Sequence, residues 1–389
     1  MNDRAAERLR AGHMWVYESE ILGWKPEPPQ LEGAAWAEIE DRRGRSLGVA
    51  DYSPQSQIRL RVLARDGGMV PDRAWLRARL EAAVAYRAKV VRGSDAYRLV
   101  ASEADQLPGL IVDRYGEGLA VQTLTWSMAA RQSAILDTLE ELAHPQTVVE
   151  RNDVKVRLRE GLELRAGLLR GEAATAACTI NGLRFDWDLL AGQKTGGFLD
   201  QRENWAAAAR IAAAFGAKRA LDVFTYQGGF ALHLARQVPE VQAVDNSRAA
   251  LEAAEHNGEQ NGLGAIDWVE ANAFDLLRDY DQREERFDLV VLDPPAFAKS
   301  RKALDAAVAG YKEINLRALK LLHPGGVLMT CSCSHHLSEA ALLEVLAAAA
   351  RDARREVTIL ERRGQAADHP VLLGVPETAY LKCIVAAVR

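Results

Sequence analysis

From Arg219 to the end of the chain, short apolar runs alternate with stretches of helical period, and no other feature restricts the fold as much. Ala220 to Phe224 reads as a strand, Gly229 to Gln237 as a helix, Val241 to Asp245 as a strand and Arg248 to Gln260 as a helix. The rhythm continues through Ile266 to Val269, the strand Leu289 to Leu292, a long helix ending at Leu322, a turn at Pro324-Gly325-Gly326 and the strand Val327 to Cys331. Strands that are apolar without alternation are buried on both faces, which means a parallel sheet with helices on each side. The last two runs, Val357 to Leu360 and Tyr380 to Ala387, have no crossover helix between them and predict an antiparallel hairpin closing the sheet. The fold class is therefore α/β, Rossmann-like, with a mostly parallel sheet.

Upstream of residue 181 the pattern differs. Between Ala34 and Ala64, the runs Ala35 to Glu40 and Ile58 to Leu63 alternate in polarity, with a turn at Arg43-Gly44-Arg45, and predict a small β-rich domain. Beyond Pro71, Ala74 to Val91 has helical period. Residues 97 to 125 read as a hairpin around Tyr115-Gly116-Glu117-Gly118, and Ser127 to Ala143 reads as a second helix. The resulting division is residues 1–70, 71–180 and 181–389, consistent with the two or three domains that 389 residues suggest.

The charge balance excludes a protein that grips nucleic acid by overall positive charge, because the net charge is −5 and the pI near 6.0. Any nucleic-acid contact has to be local. Candidate patches are Arg42, Arg43 and Arg45, the pair Arg59 and Arg61, and Lys155, Arg157 and Arg159, whose period of two would place the cations on one strand face. The opening MNDRAAERLRAGHMW lacks the apolar stretch of a secretory signal, and no membrane partner is expected. Four cysteines without a framework suit a reducing, cytoplasmic compartment, and the absence of a Cys-x-x-Cys pair argues against zinc.

In an open parallel sheet, ligands bind beyond the carboxyl ends of the strands. The first strand runs into Asp222-Val-Phe-Thr-Tyr-Gln-Gly-Gly-Phe230, where Phe224 and Gly228 lie in a turn whose backbone can approach a ligand carboxylate. The second ends at Asp245, an acceptor suited to two ribose hydroxyls. Beyond the third lie Asn272 and Ala273, placed to meet an adenine edge. The Gly-x-Gly-x-x-Gly fingerprint of dinucleotide oxidoreductases is absent, which lowers that alternative.

After the fourth strand, Asp293-Pro294-Pro295-Ala-Phe297 resembles the substrate loop of methyltransferases, stiffened by two prolines behind an acid. The fifth strand ends in Thr330-Cys331-Ser332-Cys333-Ser334, which brings a thiol to the same edge. Cytosine carbon-5 is a poor nucleophile, and a thiolate added to carbon-6 makes it a good one. Methylation of an amino or ring nitrogen needs no thiol and is the alternative chemistry. Residues 331 and 333 would share a strand face about 7 Å apart, and Cys333, nearer the edge, is the expected nucleophile with Asp293 as its catalytic partner.

Taken together, Gly12-His-Met-Trp-Val-Tyr17, Leu107-Pro-Gly-Leu-Ile-Val-Asp-Arg-Tyr115, Gln193-Lys-Thr-Gly-Gly-Phe-Leu-Asp-Gln-Arg202, Asp293-Pro-Pro-Ala-Phe297, Ser332-Cys-Ser334 and Ala367-Asp-His-Pro370 resemble the ribosomal RNA large subunit methyltransferase I family over nearly the whole chain. The resemblance implies a PUA domain, a small mixed α/β domain and a class I methyltransferase domain with a seven-stranded sheet. It implies S-adenosylmethionine as cofactor and 5-methylcytidine formed in 23S ribosomal RNA before the subunit is fully assembled, with a homodimer left open. It places the nucleophile on Cys333 and makes Lys194, Asp200 and Arg202 expected cofactor or active-site contacts. The second cysteine that other cytosine-5 RNA methylases carry beside the aspartate motif is missing, so the base that releases product must lie elsewhere, with Asp368 and His369 as candidates. The alternative of another class is an RNA-binding protein whose methyltransferase fold is inactive.

Overall fold

The structure is a computed structural model describing residues 1–25, 33–297 and 304–389. The chain packs as two compact units. The first comprises Met1–Thr179, Trp187–Leu199 and Ala367–Thr378, and the second Ile180–Asp186, Asp200–Ala366 and Ala379–Arg389.

In the second unit, β1 (Arg219–Val223), β2 (Glu240–Asp245), β3 (Asp267–Glu270), β4 (Phe287–Leu292), β5 (Leu322–Ser332), β6 (Val357–Arg363) and β7 (Lys382–Val388) form one sheet, in the order β3-β2-β1-β4-β5-β7-β6. The first five strands are parallel, and β7 runs antiparallel to both β5 and β6, as the apolar pattern predicts. Order reverses between β1 and β4, so the ligand crevice of such a sheet lies beyond their ends. The helices are α1 (Arg202–Phe215), α2 (Gly229–Ala235), α3 (Arg248–Gln260), α4 (Ala273–Gln282), α5 (Leu304–Leu321) and α6 (Glu339–Ala353). Three starts are capped by side chains: Ser247, Asn272 and Ser338 accept backbone N–H groups from the first turns of α3, α4 and α6. The helix α5 packs on α4 and α6, and Tyr311 and Ile314 from it join Leu221, Val223, Val290, Leu292 and Leu328 in one buried core. The Pro324-Gly325-Gly326 turn is absorbed into β5 as an irregularity, where register with β4 jumps between Leu322 and Val327.

The first unit holds an antiparallel sheet of Trp15–Tyr17, Trp36–Glu40, Ser46–Tyr52 and Ile58–Ala64, and a five-stranded sheet of Ala96–Ala101, Leu110–Tyr115, Gly118–Thr123, Thr147–Asn152 and Arg165–Arg170. The hairpin at Tyr115 to Gly118 forms as expected, and Ala96–Ala101 pairs beside it. The helix expected over Ser127 to Ala143 breaks at Arg131 into Trp126–Ala130 and Gln132–Ala143. Among the described residues, no helix is long and apolar enough to cross a membrane.

The Lys155, Arg157, Arg159 expectation fails. These residues form a 3-10 turn, Lys155–Glu160, not a strand, and Arg157 is buried, donating to Thr123 O and to Glu163 O. Arg61 is likewise buried and bound to Glu160 at 2.7 Å. Alternation of charge cannot by itself separate a strand face from a short turn in which every second cation is tied inward. Arg42, Arg43, Arg45, Lys155 and Arg159 stay exposed.

Several family-motif residues form one buried network in this unit. Arg98 makes a bidentate pair with Asp113, both contacts at 2.8 Å, and Thr195 Oγ1 donates to the same carboxylate at 2.5 Å. Tyr115 OH accepts from Gly197 N at 2.9 Å, so Asp113 and Tyr115 anchor the 193–199 segment. Asp368 Oδ2 accepts from Arg98 N at 2.7 Å, and Asp368 O from Arg87 at 2.9 Å. Removing one member of a buried ion pair strands the other. Asp113→Ala should therefore destabilise the full chain by about 3–5 kcal/mol, read by urea unfolding; an unchanged midpoint would show that Arg98 is satisfied without it.

Candidate active site at the carboxyl ends of the strands

The loop after β1 is strained and tightly held. Phe224, Tyr226 and Gly228 have φ of +70°, +51° and +84°, a region that residues other than glycine rarely adopt and that persists where the surroundings enforce it, often at ligand clamps. Phe224 N and Thr225 N both donate to Val244 O at 2.9 Å, and Tyr226 N donates to Asp245 Oδ2 at 2.9 Å. Asp222 Oδ2 accepts from Thr225 Oγ1 at 2.6 Å and from Ala231 N at 3.0 Å, fastening the loop to α2. The expected site residues Asp222, Phe224, Gly228 and Asp245 thus come together on one loop and its neighbouring strand.

Asp222 Oδ1 is buried without a hydrogen-bond partner. Burial raises the Asp222 carboxyl to about 7, against the hydrogen bonds from Thr225 and Ala231 and with a further push from the Asp245 charge. An orphaned carboxylate oxygen beside a second carboxylate fits a ligand that brings cationic and hydroxyl donors. S-adenosylmethionine carries an ammonium, a sulfonium and two ribose hydroxyls, so these residues fit it. Asn272 Oδ1 is occupied in capping α4, accepting from Phe274 N at 2.9 Å, which leaves its amide N–H groups to serve an adenine; Ala273 opens that helix.

Asp293 follows β4 and accepts from Gln201 Nε2 at 2.9 Å. Gln201 Oε1 accepts from Asn204 at 2.6 Å, and Asn204 Oδ1 from Arg363 at 2.8 Å, so the orientation of Asp293 is relayed from β6. Four residues on, Phe297 packs against Phe224, Phe274 and Tyr311, with the Tyr311 ring centroid 4.7 Å away.

The two cysteines at the end of β5 differ sharply. Cys331 is fully buried and stands opposite Cys383 of β7. Burial first, then contact with Cys383 and the Asp293 charge, push its thiol well above the ordinary range. Cys333 lies just past the strand end and is half-buried. Both serines around it are tied to one phenol: Ser332 Oγ donates to Tyr311 OH at 2.9 Å, and Ser334 Oγ lies 3.2 Å from it. Lys382, buried on β7, donates to Ser334 O at 2.7 Å and Tyr380 O at 2.8 Å.

Among the residues expected from resemblance, Asp200 and Arg202 are buried at the start of α1. Asp200 Oδ2 accepts from Tyr380 OH at 2.8 Å, and Arg202 O accepts from Asn181 at 2.9 Å. Lys194 belongs to the first unit, with its ammonium 4.4 Å from the centroid of the Phe198 ring, on the segment that Asp113 and Tyr115 anchor. Asp368 and His369 are buried in the first unit's network, where the Asp368 carboxylate accepts from Arg98 N and its backbone carbonyl from Arg87. Sequence reasoning missed Gln201, Tyr311 and Lys382. Of these only Gln201 stood in a recognised motif.

Because Asp222 is raised toward 7 by burial, its folded form favours the proton, and its contribution to stability declines as pH rises through that value. A cationic ligand needs the ionised form. Affinity for S-adenosylmethionine, measured by calorimetry, should increase by about tenfold from about pH 6 to about pH 7.5. Asp222→Asn should bind weakly with a flat profile; a flat profile in the unaltered protein would mean Asp222 does not pair with the ligand.

Comparison with known proteins agrees with this geometry. Residues 125–385 match a family described as S-adenosylmethionine-dependent methyltransferase, and residues 1–65 match a PUA-like domain. Proteins named Ribosomal RNA large subunit methyltransferase I are similar nearly end to end: that of Photobacterium profundum is 41% identical, covering 96% of this chain and 95% of its own, and that of Tolumonas auensis is 40% identical, covering 98% and 97%. A solved structure of a methyltransferase complexed with SAH superposes with a TM-score of 0.82 at 18% identity, covering 99% of this chain and 98% of that one, and a Streptococcus mutans protein described as SAM-dependent superposes at 0.80 and 17%, with the same coverage. Those two show the fold. The carboxylate pair, the strained loop and the full-length similarity agree: this chain is a SAM-dependent methyltransferase and belongs to the ribosomal RNA large subunit methyltransferase I family.

Proposed function

We propose that this protein forms 5-methylcytidine in 23S ribosomal RNA through a covalent adduct with Cys333, acting in the cytoplasm on RNA not yet enclosed by subunit assembly. The observation that carries the reading is the contrast at the end of β5: Cys333 is half-buried at the edge where Asp293 sits, while Cys331 is sealed beside Cys383 with its thiol held protonated. The names of the relatives supply the ribosomal RNA.

The residues divide the work as follows. A cytidine drawn out of its stack exposes both ring faces. The Cys333 thiolate adds to carbon-6, and Asp293, oriented by Gln201, accepts from the exocyclic amine and from N3 in its protonated form, which it favours as the ring takes up the negative charge of the addition. Bound S-adenosylmethionine supplies the electrophilic methyl that carbon-5 accepts. A base then takes the carbon-5 proton, the carbon–sulfur bond breaks, and Cys333 returns as a thiolate. Residues 1–70 serve as the PUA-like RNA-binding domain, 71–180 as the small α/β domain and 181–389 as the methyltransferase domain, with Asp200 and Arg202 shaping the entry to the cofactor.

The test is tritium release from carbon-5-labelled cytidine in 23S transcripts. Cys333→Ala should abolish release, at least about a thousandfold, because no other group replaces the covalent step, and Cys331→Ala should retain most of it. Methyl transfer without release would move the chemistry to a nitrogen.

A further inference from the structure

A buried lysine stands across the strand from the Ser-Cys-Ser turn, and the fold invests in keeping it there. In the antiparallel pairing of β5 with β7, Lys382 is the partner of Ser332, the residue before Cys333. Its ammonium donates to Ser334 O at 2.7 Å, the carbonyl after Cys333, and to Tyr380 O at 2.8 Å, two residues before its own strand. Lys382 therefore meets both sequence neighbours of Cys333, Ser332 through backbone pairing and Ser334 through its ammonium, and two of its three donors go to carbonyls. Lysine is rarely this buried without a partner, since taking a compact cation out of water is costly. Two carbonyl dipoles offset part of that cost and supply no counter-charge.

We propose that Lys382 is the positioning residue for the nucleophile, its ammonium holding the Cys333 sulfur as a thiolate at the sheet edge. This rests on the reading of Cys333 as nucleophile. The charge acting on Lys382 is that of Cys333, which opposes the downward pull of burial on the lysine. Among the described residues, other titratable groups also lie near the turn. Tyr311, from α5, keeps its proton because burial raises its phenol, and it joins Ser332 and Ser334 through hydrogen bonds. Asp293 bears on the neighbouring Cys331, and the His335 ring lies 5.7 Å from that of Tyr380, which is itself bound to Asp200. A thiolate beside a fixed ammonium is the arrangement that keeps a cysteine reactive near neutral pH. The geometry also accounts for the Ser-Cys-Ser pattern: the serines lock the turn to Tyr311 while Lys382 reads its backbone.

The test is the pH profile of Cys333 alkylation by iodoacetamide in the full-length protein, followed by peptide mass mapping, which reads the thiol without requiring methyl transfer. In the unaltered protein the midpoint should lie at least about one unit below the free-thiol value of about 8.5. Lys382→Met should move it up by more than about one unit and cut alkylation at neutral pH at least about tenfold. Lys382→Arg should restore the low midpoint. A midpoint at or above the free-thiol value in the unaltered protein overturns the proposal even if Lys382→Met fails to fold, and so does a folded Lys382→Met with an unmoved midpoint. If Cys333→Ala keeps methyl transfer while the Lys382 shift is seen, the covalent reading fails and the ion pair stands.

Discussion

Leu292 pairs with Thr330 across β4 and β5, and Ser332 pairs with Lys382 across β5 and β7. The rest of the site depends on these two registers. The first sets Asp293 one residue beyond Leu292, level with Cys331, so that Cys333 emerges just past the acid. The second sets the buried ammonium opposite the turn. Side chains alternate faces along a strand, so a slip of one residue in β5 would turn Cys331 outward and strip Lys382 of the Ser334 carbonyl. Both faces of the central strands are covered by apolar packing, which makes that slip costly and the register unique.

Within that frame, burial separates two chemically identical thiols. Cys331 sits inside the sheet with Cys383 opposite and an acid nearby, and burial with these two neighbours opposes ionisation more strongly than the contact with Gln201 favours it. Cys333 lies two residues on, outside the strand, with an ammonium at hand. The same logic raises Asp222 at the other side of the crevice, where a carboxyl with an unpartnered oxygen is poised for a cationic ligand. One edge of one sheet thus holds an acid that burial makes receptive to a cofactor and a thiol whose surroundings favour its charged form.

The sheet was legible because parallel strands buried on both faces read as unbroken apolar runs, and β1 through β5 fall within a few residues of their expected places. The acids and Cys333 were legible because strand ends are where such a sheet binds ligands. Gln201, Tyr311 and Lys382 were not: each is a polar residue whose partner lies 92, 21 or 48 residues away, and no local period announces a contact of that kind. Asp113, Tyr115 and Asp368 show the converse. They stood in recognisable motifs, and the structure spends them on a buried network that shapes a loop. The Lys155 to Arg159 series misled because alternation of charge fits a turn with one cation turned inward as well as it fits a strand.

The most direct measurement is covalent trapping on 23S transcripts in which cytidine is replaced by 5-fluorocytidine, whose carbon-5 fluorine cannot be removed as a proton, so that the adduct accumulates. Incubation with S-adenosylmethionine should give a denaturation-resistant protein–RNA complex whose cross-linked peptide carries the nucleotide on Cys333. A complex mapped to Cys331, or methylated RNA with no covalent complex at all, would contradict the assignment of Cys333 as the nucleophile.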